Sequence, residues 1–84
     1  MNRTKRIQSI LEKNILDFSI NVIDNSLSHK GHNNFNGSGE THLIVELNKG
    51  TKTKINRLEV HKHIHTLLKQ EFLMGLHSLQ IKII

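Results

Sequence analysis

The chain contains no cysteine and no proline. Without cysteine there is no disulfide framework, no thiolate zinc site and no thiol nucleophile, and a reducing cytoplasm is the expected location. Without proline, the turns fall to asparagine and glycine. Long apolar runs are missing too: none approaches the roughly 20 residues that a membrane helix needs. The opening MNRTKRIQSILEK is charged and amphipathic rather than a signal peptide, so no membrane association is expected. Acidic side chains are few, 7 against 12 Lys and Arg, which leaves a formal net charge of +5. A positive surface favours acidic proteins, nucleic acid or anionic cofactors such as glutathione. With 84 residues, the expected organisation is one small domain over residues 1–84, with a single core.

What is present has readable periodicity. Ile7, Ile10 and Leu11 recur at helical spacing behind two candidate caps, Asn2 and Thr4, and predict a helix over residues 3–13. Residues 19–24 alternate with Ile20 and Val22 on one face, and residues 41–47 place Leu43, Val45 and Leu47 on one face. Both read as half-buried strands. The segment between them, residues 25–40, is rich in Asn, Ser and Gly and is longer than a hairpin requires. After the polar turn LNKGTKTK, a stripe of Ile55, Leu58, Ile64, Leu67, Leu68 and Phe72 predicts one long helix ending near Gly75, with Val60 off the stripe. The final run alternates Leu79, Ile81 and Ile83 and predicts a third strand. This order gives an α+β layer, with helices on one face of a three-stranded sheet and a wet opposite face. A parallel pairing of the last two strands requires a right-handed crossover through the helix.

The chemistry-bearing residues are mainly histidines. His29 and His32 flank Lys30 and Gly31 in a glycine-rich segment, where they are either metal ligands or solvated loop histidines. His42 opens the second strand on the parity opposite Leu43 and Val45, and a structural role is expected for it. Glu40 is placed to hold an imidazole tautomer or anchor the loop, with a solvated carboxylate as the alternative. In HKHIH only His61 and His65 share a helix face. That pair lacks the glutamate and third ligand of a zinc peptidase, so His61 is assigned to packing or partner contact rather than metal. His77 stands at the start of the last strand, at the rim of the layer, held by regular structure yet able to reach solvent.

Enzymatic readings find little support. There is no G-x-S-x-G elbow, and GSGE lacks the lysine and Ser/Thr that a phosphate-binding loop needs after its last glycine. Seven scattered acidic residues do not compose a glycosidase pair. No enzyme is expected.

Taken together, DNSLSHKGH, GSGETHL, RLEVHKHIHTLLKQEF and LHSLQIKI resemble the BolA family over almost the whole chain. The family pattern is Asp-x-Ser-x-x-His, here beginning at Asp24 with Ser26 and His29, then Gly-x-Glu-(Ser/Thr)-His before the second strand, an Arg-His-Arg-like helix and a His-(Ala/Ser)-Leu opening the last strand. The resemblance implies an αββααβ fold similar to a class II KH domain, with a short extra helix before residue 56. It also implies a monothiol glutaredoxin as partner and a shared [2Fe–2S] cluster, whose partner-side ligands are the glutaredoxin cysteine and a glutathione thiolate. This chain then supplies histidines: His77, and His29 or alternatively His32. Two imidazoles on one iron and two thiolates on the other form a Rieske-like set that requires deprotonated imidazoles and is therefore pH-sensitive. For the isolated chain, a monomer or weak homodimer without cofactor is expected.

Family members similar to the founding protein are described as transcriptional regulators, so DNA binding is the second reading. Here Val60 and Lys62 replace the arginines that flank the helix histidine, which removes the bidentate fork that reads guanine. Lys49, Lys52, Lys54 and Arg57 remain able to neutralise phosphates, giving salt-sensitive binding. No GxxG loop stands between the helices to clamp RNA. A third reading is a lone zinc site of His29, His32 and His42.

Overall fold

The computed structural model describes residues 2–25, 41–51 and 54–84. Within them the order is α1 (Arg3–Asn14), β1 (Ser19–Asp24), β2 (His42–Asn48), α2 (Arg57–Leu67), α3 (Lys69–Leu73) and β3 (Ser78–Ile83). The αββααβ order and the mixed three-stranded sheet agree with expectation. Strand order is β1-β2-β3, antiparallel between β1 and β2 and parallel between β2 and β3.

Asn2 rather than Thr4 caps α1, its side-chain oxygen accepting the N–H of Lys5 at 2.9 Å. One face of α1 buries Ile7 and Leu11 completely. The opposite wall of the core is the apolar face of the sheet, where register aligns Ile20 with Leu47 and Ile83, and Val22 with Val45 and Ile81. Alternation therefore works as the sequence implies, since residues two apart share a face. The other face carries Asn21, Glu46 and Lys82 in one row, with Asn21 and Lys82 exposed.

Gln8 closes the outer edge of β1 from the helix above it. Its amide donates to the Ile20 carbonyl at 2.6 Å and its oxygen accepts the Val22 N–H at 2.8 Å. Two backbone groups of an edge strand, which would otherwise invite pairing with another chain, are thereby satisfied from within.

The second half of the chain departs from expectation in two ways. Asn56 caps α2 by accepting the N–H of Glu59 at 3.1 Å, so Leu58 lies in the first turn, 63% exposed. Val60 instead packs against the core, four residues before fully buried Ile64 and eight before buried Leu68. The true stripe thus starts at Val60, and Leu58 is out of phase with it. The helix also divides, but after residue 56 rather than before it: residues 54–56 are not helical, and the break is at Leu68. There the backbone leaves helical values, at φ −101° and ψ 12°. The short helix α3 follows and points Glu71 at α1.

Glu71 is 3% exposed and receives two arginines. Arg6 donates through Nε at 2.7 Å and Nη2 at 2.8 Å, and Arg3 through Nε at 3.1 Å. Arg3 also reaches the Met74 carbonyl at 2.7 Å. Hydrogen bonding from Arg6, opposed by burial and reinforced by Arg3, holds the Glu71 carboxyl below its ordinary value. Gly75, at φ 115°, then ends α3, and the Leu76 N–H returns to the Glu71 carbonyl at 2.9 Å. A methyl group at Gly75 would stand 3.4 Å from Arg3 Nη2.

Candidate metal centre

The parallel register of β2 and β3 brings the two ends of the chain's histidine inventory together. His42 opens β2 opposite Ser78, the first residue of β3, so His77 arrives one step before the ladder. The Thr41 carbonyl accepts both the His77 N–H, at 2.8 Å, and the Ser78 N–H, at 3.0 Å. Strand entry is thus fixed from two sides, because the His42 carbonyl accepts the N–H of Asn25, the residue after β1, at 2.8 Å.

The side chains follow the backbone. The imidazoles of His42 and His77 lie 5.2 Å apart, centroid to centroid, with their planes tilted by 34°. His77 is exposed and His42 half-buried. Thr41 Oγ1 lies 3.0 Å from His42 Nδ1, close enough to orient the ring. Sequence reasoning separated these residues, His42 as structural and His77 as ligand, whereas the structure makes them neighbours.

The loop candidates His29 and His32, with Ser26, Gly31 and Glu40, lie outside the described residues, as does Lys52. Of the proposed zinc triad only His42 is described, and among the described residues no group of three His, Cys, Asp or Glu could hold a metal ion. His61 is half-buried on α2. His65, one turn further, stacks on Phe72 of α3 at 5.4 Å and 16°, a contact that spans the break at Leu68.

The basic candidates occupy a different region. Lys54 and Arg57 are exposed around the start of α2 and line a shallow depression with Ile55 and Asn56. Lys62 is exposed further along α2, while Lys49 is half-buried and its N–H pairs with the Ile84 carbonyl at 2.9 Å. Among the described residues no helix is long and apolar enough to cross a membrane.

The backbone clamp on His77 was the feature that sequence reasoning missed. Its signal lay in two matching strings, THLIVEL and HSLQIKI. Aligning their first core leucines, Leu43 and Leu79, sets Thr41 beside His77.

Known proteins share both this chain's sequence and its fold. The chain is 32% identical over 83 residues to an uncharacterised protein of the cobS 5′ region of Sinorhizobium, covering 98% of this chain and 89% of the relative. Among solved structures it resembles BolA1 from Arabidopsis thaliana, with 28% identity and a TM-score of 0.76, covering 99% of this chain and 90% of that one. It also resembles the BolA domain of SufE1 from the same plant, with 31% identity and a TM-score of 0.78, covering 99% and 91%. The family model for BolA-like proteins matches residues 11–84, from Leu11 in α1 through His42 and His77 to Ile84, and the chain belongs to the BolA family.

Proposed function

We propose that this chain is the histidine-donating partner of a monothiol glutaredoxin, sharing a [2Fe–2S] cluster in iron–sulfur assembly, trafficking or iron regulation. The observation that carries the reading is the placement of His77: solvent-facing, yet held by the Thr41 carbonyl at the mouth of the parallel strand pair. A ligand contributed to a partner's site needs both properties, since the imidazole must reach across an interface from a fixed backbone. A BolA domain inside a SufE-like protein fits the same area of metabolism.

The donor set suits the group. Neutral imidazole is an accepted iron ligand in clusters of mixed ligation, and a chain without cysteine leaves the thiolates to glutaredoxin and glutathione. His77 is the described ligand, and His29, or alternatively His32, is the second. When bound, the cluster supplies visible charge-transfer absorption and one-electron chemistry. The work of this chain is to present deprotonated imidazole at a fixed point. Exposed Leu73 and Met74, just before His77, offer apolar surface beside that point.

Reconstitution of the chain with a monothiol glutaredoxin, glutathione, iron and sulfide tests this reading. A heterodimer with a charge-transfer spectrum altered by His77→Ala is the expected result. An unaltered spectrum overturns the ligand assignment.

A second reading, phosphate binding to DNA, is favoured by exposed Lys54, Arg57 and Lys62 on and around α2. It requires binding that weakens when these residues are neutralised and that discriminates between sequences at fixed salt. Equal loss for all sequences as salt rises reduces it to nonspecific attraction.

A further inference from the structure

We propose that the outer edge of β3 pairs antiparallel with β3 of a second copy, Ile81 facing Ile81 across a two-fold axis, so that two three-stranded sheets join edge to edge. The first argument is which backbone groups the edge leaves open. The Ser78 N–H donates to the Thr41 carbonyl at 3.0 Å, the Ile84 N–H donates to the Leu47 carbonyl at 2.8 Å, and the Ile84 carbonyl accepts the Lys49 N–H at 2.9 Å. Even-numbered residues of β3 therefore turn both groups toward β2. Leu79, Ile81 and Ile83 turn theirs outward, where no strand lies among the described residues. The two edges of the sheet differ in this respect. Gln8 closes β1 from within, whereas β3 runs in unbroken register with β2, with no proline, no bulge and only Lys82 to deter a neighbour.

The second argument is burial. Leu43, Val45 and Leu47 of the central strand are buried, but Leu79, Ile81 and Ile83 beside them are half-buried. Residues opposite one another in an antiparallel pair point to the same side, so a second β3 sets Leu79 beside Ile83 and Ile81 beside its own copy, covering the open flank of this row. The third argument is self-complementarity. With Ile81 on the axis, exposed Gln80 lies opposite Lys82 of the second copy, and the lone charge of the strand meets a neutral amide on both sides of the axis. A parallel pairing in register would instead set Lys82 against Lys82, and like charges directly opposite are destabilising. One strand pair is a small contact, so the dimer is expected to be weak, with a Kd on the order of 10⁻⁴ M. Because each copy carries a net charge of +5, raising salt should strengthen it.

Sedimentation equilibrium of the full chain from about 10 μM to about 1 mM, with amide hydrogen exchange at both ends of that range, is the test. A monomer–dimer equilibrium is expected, with exchange of the Leu79, Ile81 and Ile83 amides slowed at the higher concentration. Position 80 reads the register. Gln80→Lys puts like charges opposite each other and should weaken the dimer about fivefold, whereas Gln80→Glu should strengthen it about fivefold. Lys13→Gln lowers the net charge as Gln80→Glu does, but at an exposed position on α1, and should have a far smaller effect. Gln80 is exposed, so neither change at this position threatens the fold. A chain that stays monomeric at about 1 mM overturns the proposal, as does a dimer whose outward amides exchange unchanged or that ignores the charge at position 80. Slowing of these amides only when glutaredoxin is added gives the edge to a different protein and equally overturns self-pairing. His77→Ala should dimerise as the parent does, which keeps this result separate from that of the cluster.

Discussion

The Thr41 carbonyl accepts the His77 N–H at 2.8 Å, tying the residue before β2 to the residue before β3. Because the bond is made by backbone, the position of His77 depends on strand register and not on its own side chain. Register in turn is set by the apolar row that puts buried Leu43 beside half-buried Leu79, and a slip of one residue would send every apolar side chain to the wrong face. The candidate ligand is therefore located by the hydrophobic core.

His77→Ala should accordingly leave the fold intact. Its side chain is exposed, and surface replacements away from special features usually change stability by less than about 0.5 kcal/mol. Urea unfolding of this variant, measured beside the cluster spectrum, is expected to match the parent while the spectrum changes. A large drop in stability would mean that the imidazole supports the strand pair as well.

Glu71 makes stability depend on pH. Its carboxyl is held below the ordinary value of 4.5, chiefly by the hydrogen bond from Arg6. A depressed carboxylate contributes stability that is fully present above the unfolded value and is lost as pH falls through the folded value. The expected window of loss therefore opens near pH 4.5 and extends below it. Glu71→Gln should flatten this part of the curve and lower stability at pH 7 by about 3 kcal/mol, the low end for breaking a buried ion pair. The low end applies because the Arg6 side chain is 37% exposed and partly screened. Denaturant melts of both proteins across pH 3 to 7 provide the check, and parallel curves would rule out the linkage.

Elements with strong alternation were legible in the sequence. Residues 19–24 and the final strand follow a period of two, and Leu43, Val45 and Leu47 proved to be the central buried row. The helix break was not legible, since TLLKQ holds no glycine or proline to mark it. Glu71 escaped notice for a related reason: it continues the core stripe from Leu67 and Leu68, but a charged residue is read as solvent-facing unless its partners are known. Those partners, Arg3 and Arg6, come from the far end of the chain. The site was legible as residue types and spacing. The proximity of His42 to His77 needed the parallel pairing, which no local pattern encodes.

The phase of α2 yields a direct comparison. Val60 packs against the core whereas Leu58 is 63% exposed, although hydrophobicity alone ranks leucine no lower. Val60→Ala is expected to destabilise by about 1–2 kcal/mol through lost burial and packing. Leu58→Ala should stay within about 0.5 kcal/mol. Thermal melts of the two variants decide the phase, and the reverse ranking would restore the stripe through Leu58.

Gln8 supplies the last test, because its side chain does the work of a neighbouring strand. It donates to Ile20 and accepts from Val22 along the outer edge of β1, and its amide also lies 3.1 Å from Glu12 Oε2. Gln8→Ala removes both edge bonds together and leaves a half-buried donor and acceptor to find water, at a cost of about 1–3 kcal/mol. The local consequence is sharper than the global one. The Val22 amide, paired with Gln8 in the folded chain, should lose hydrogen-exchange protection in the variant, while amides of the central strand fall only by the global change in stability. Retained protection at Val22 would show that some other group satisfies this edge. A gain in self-association by Gln8→Ala at high concentration is also expected, since an unsealed strand edge offers its backbone to a second copy.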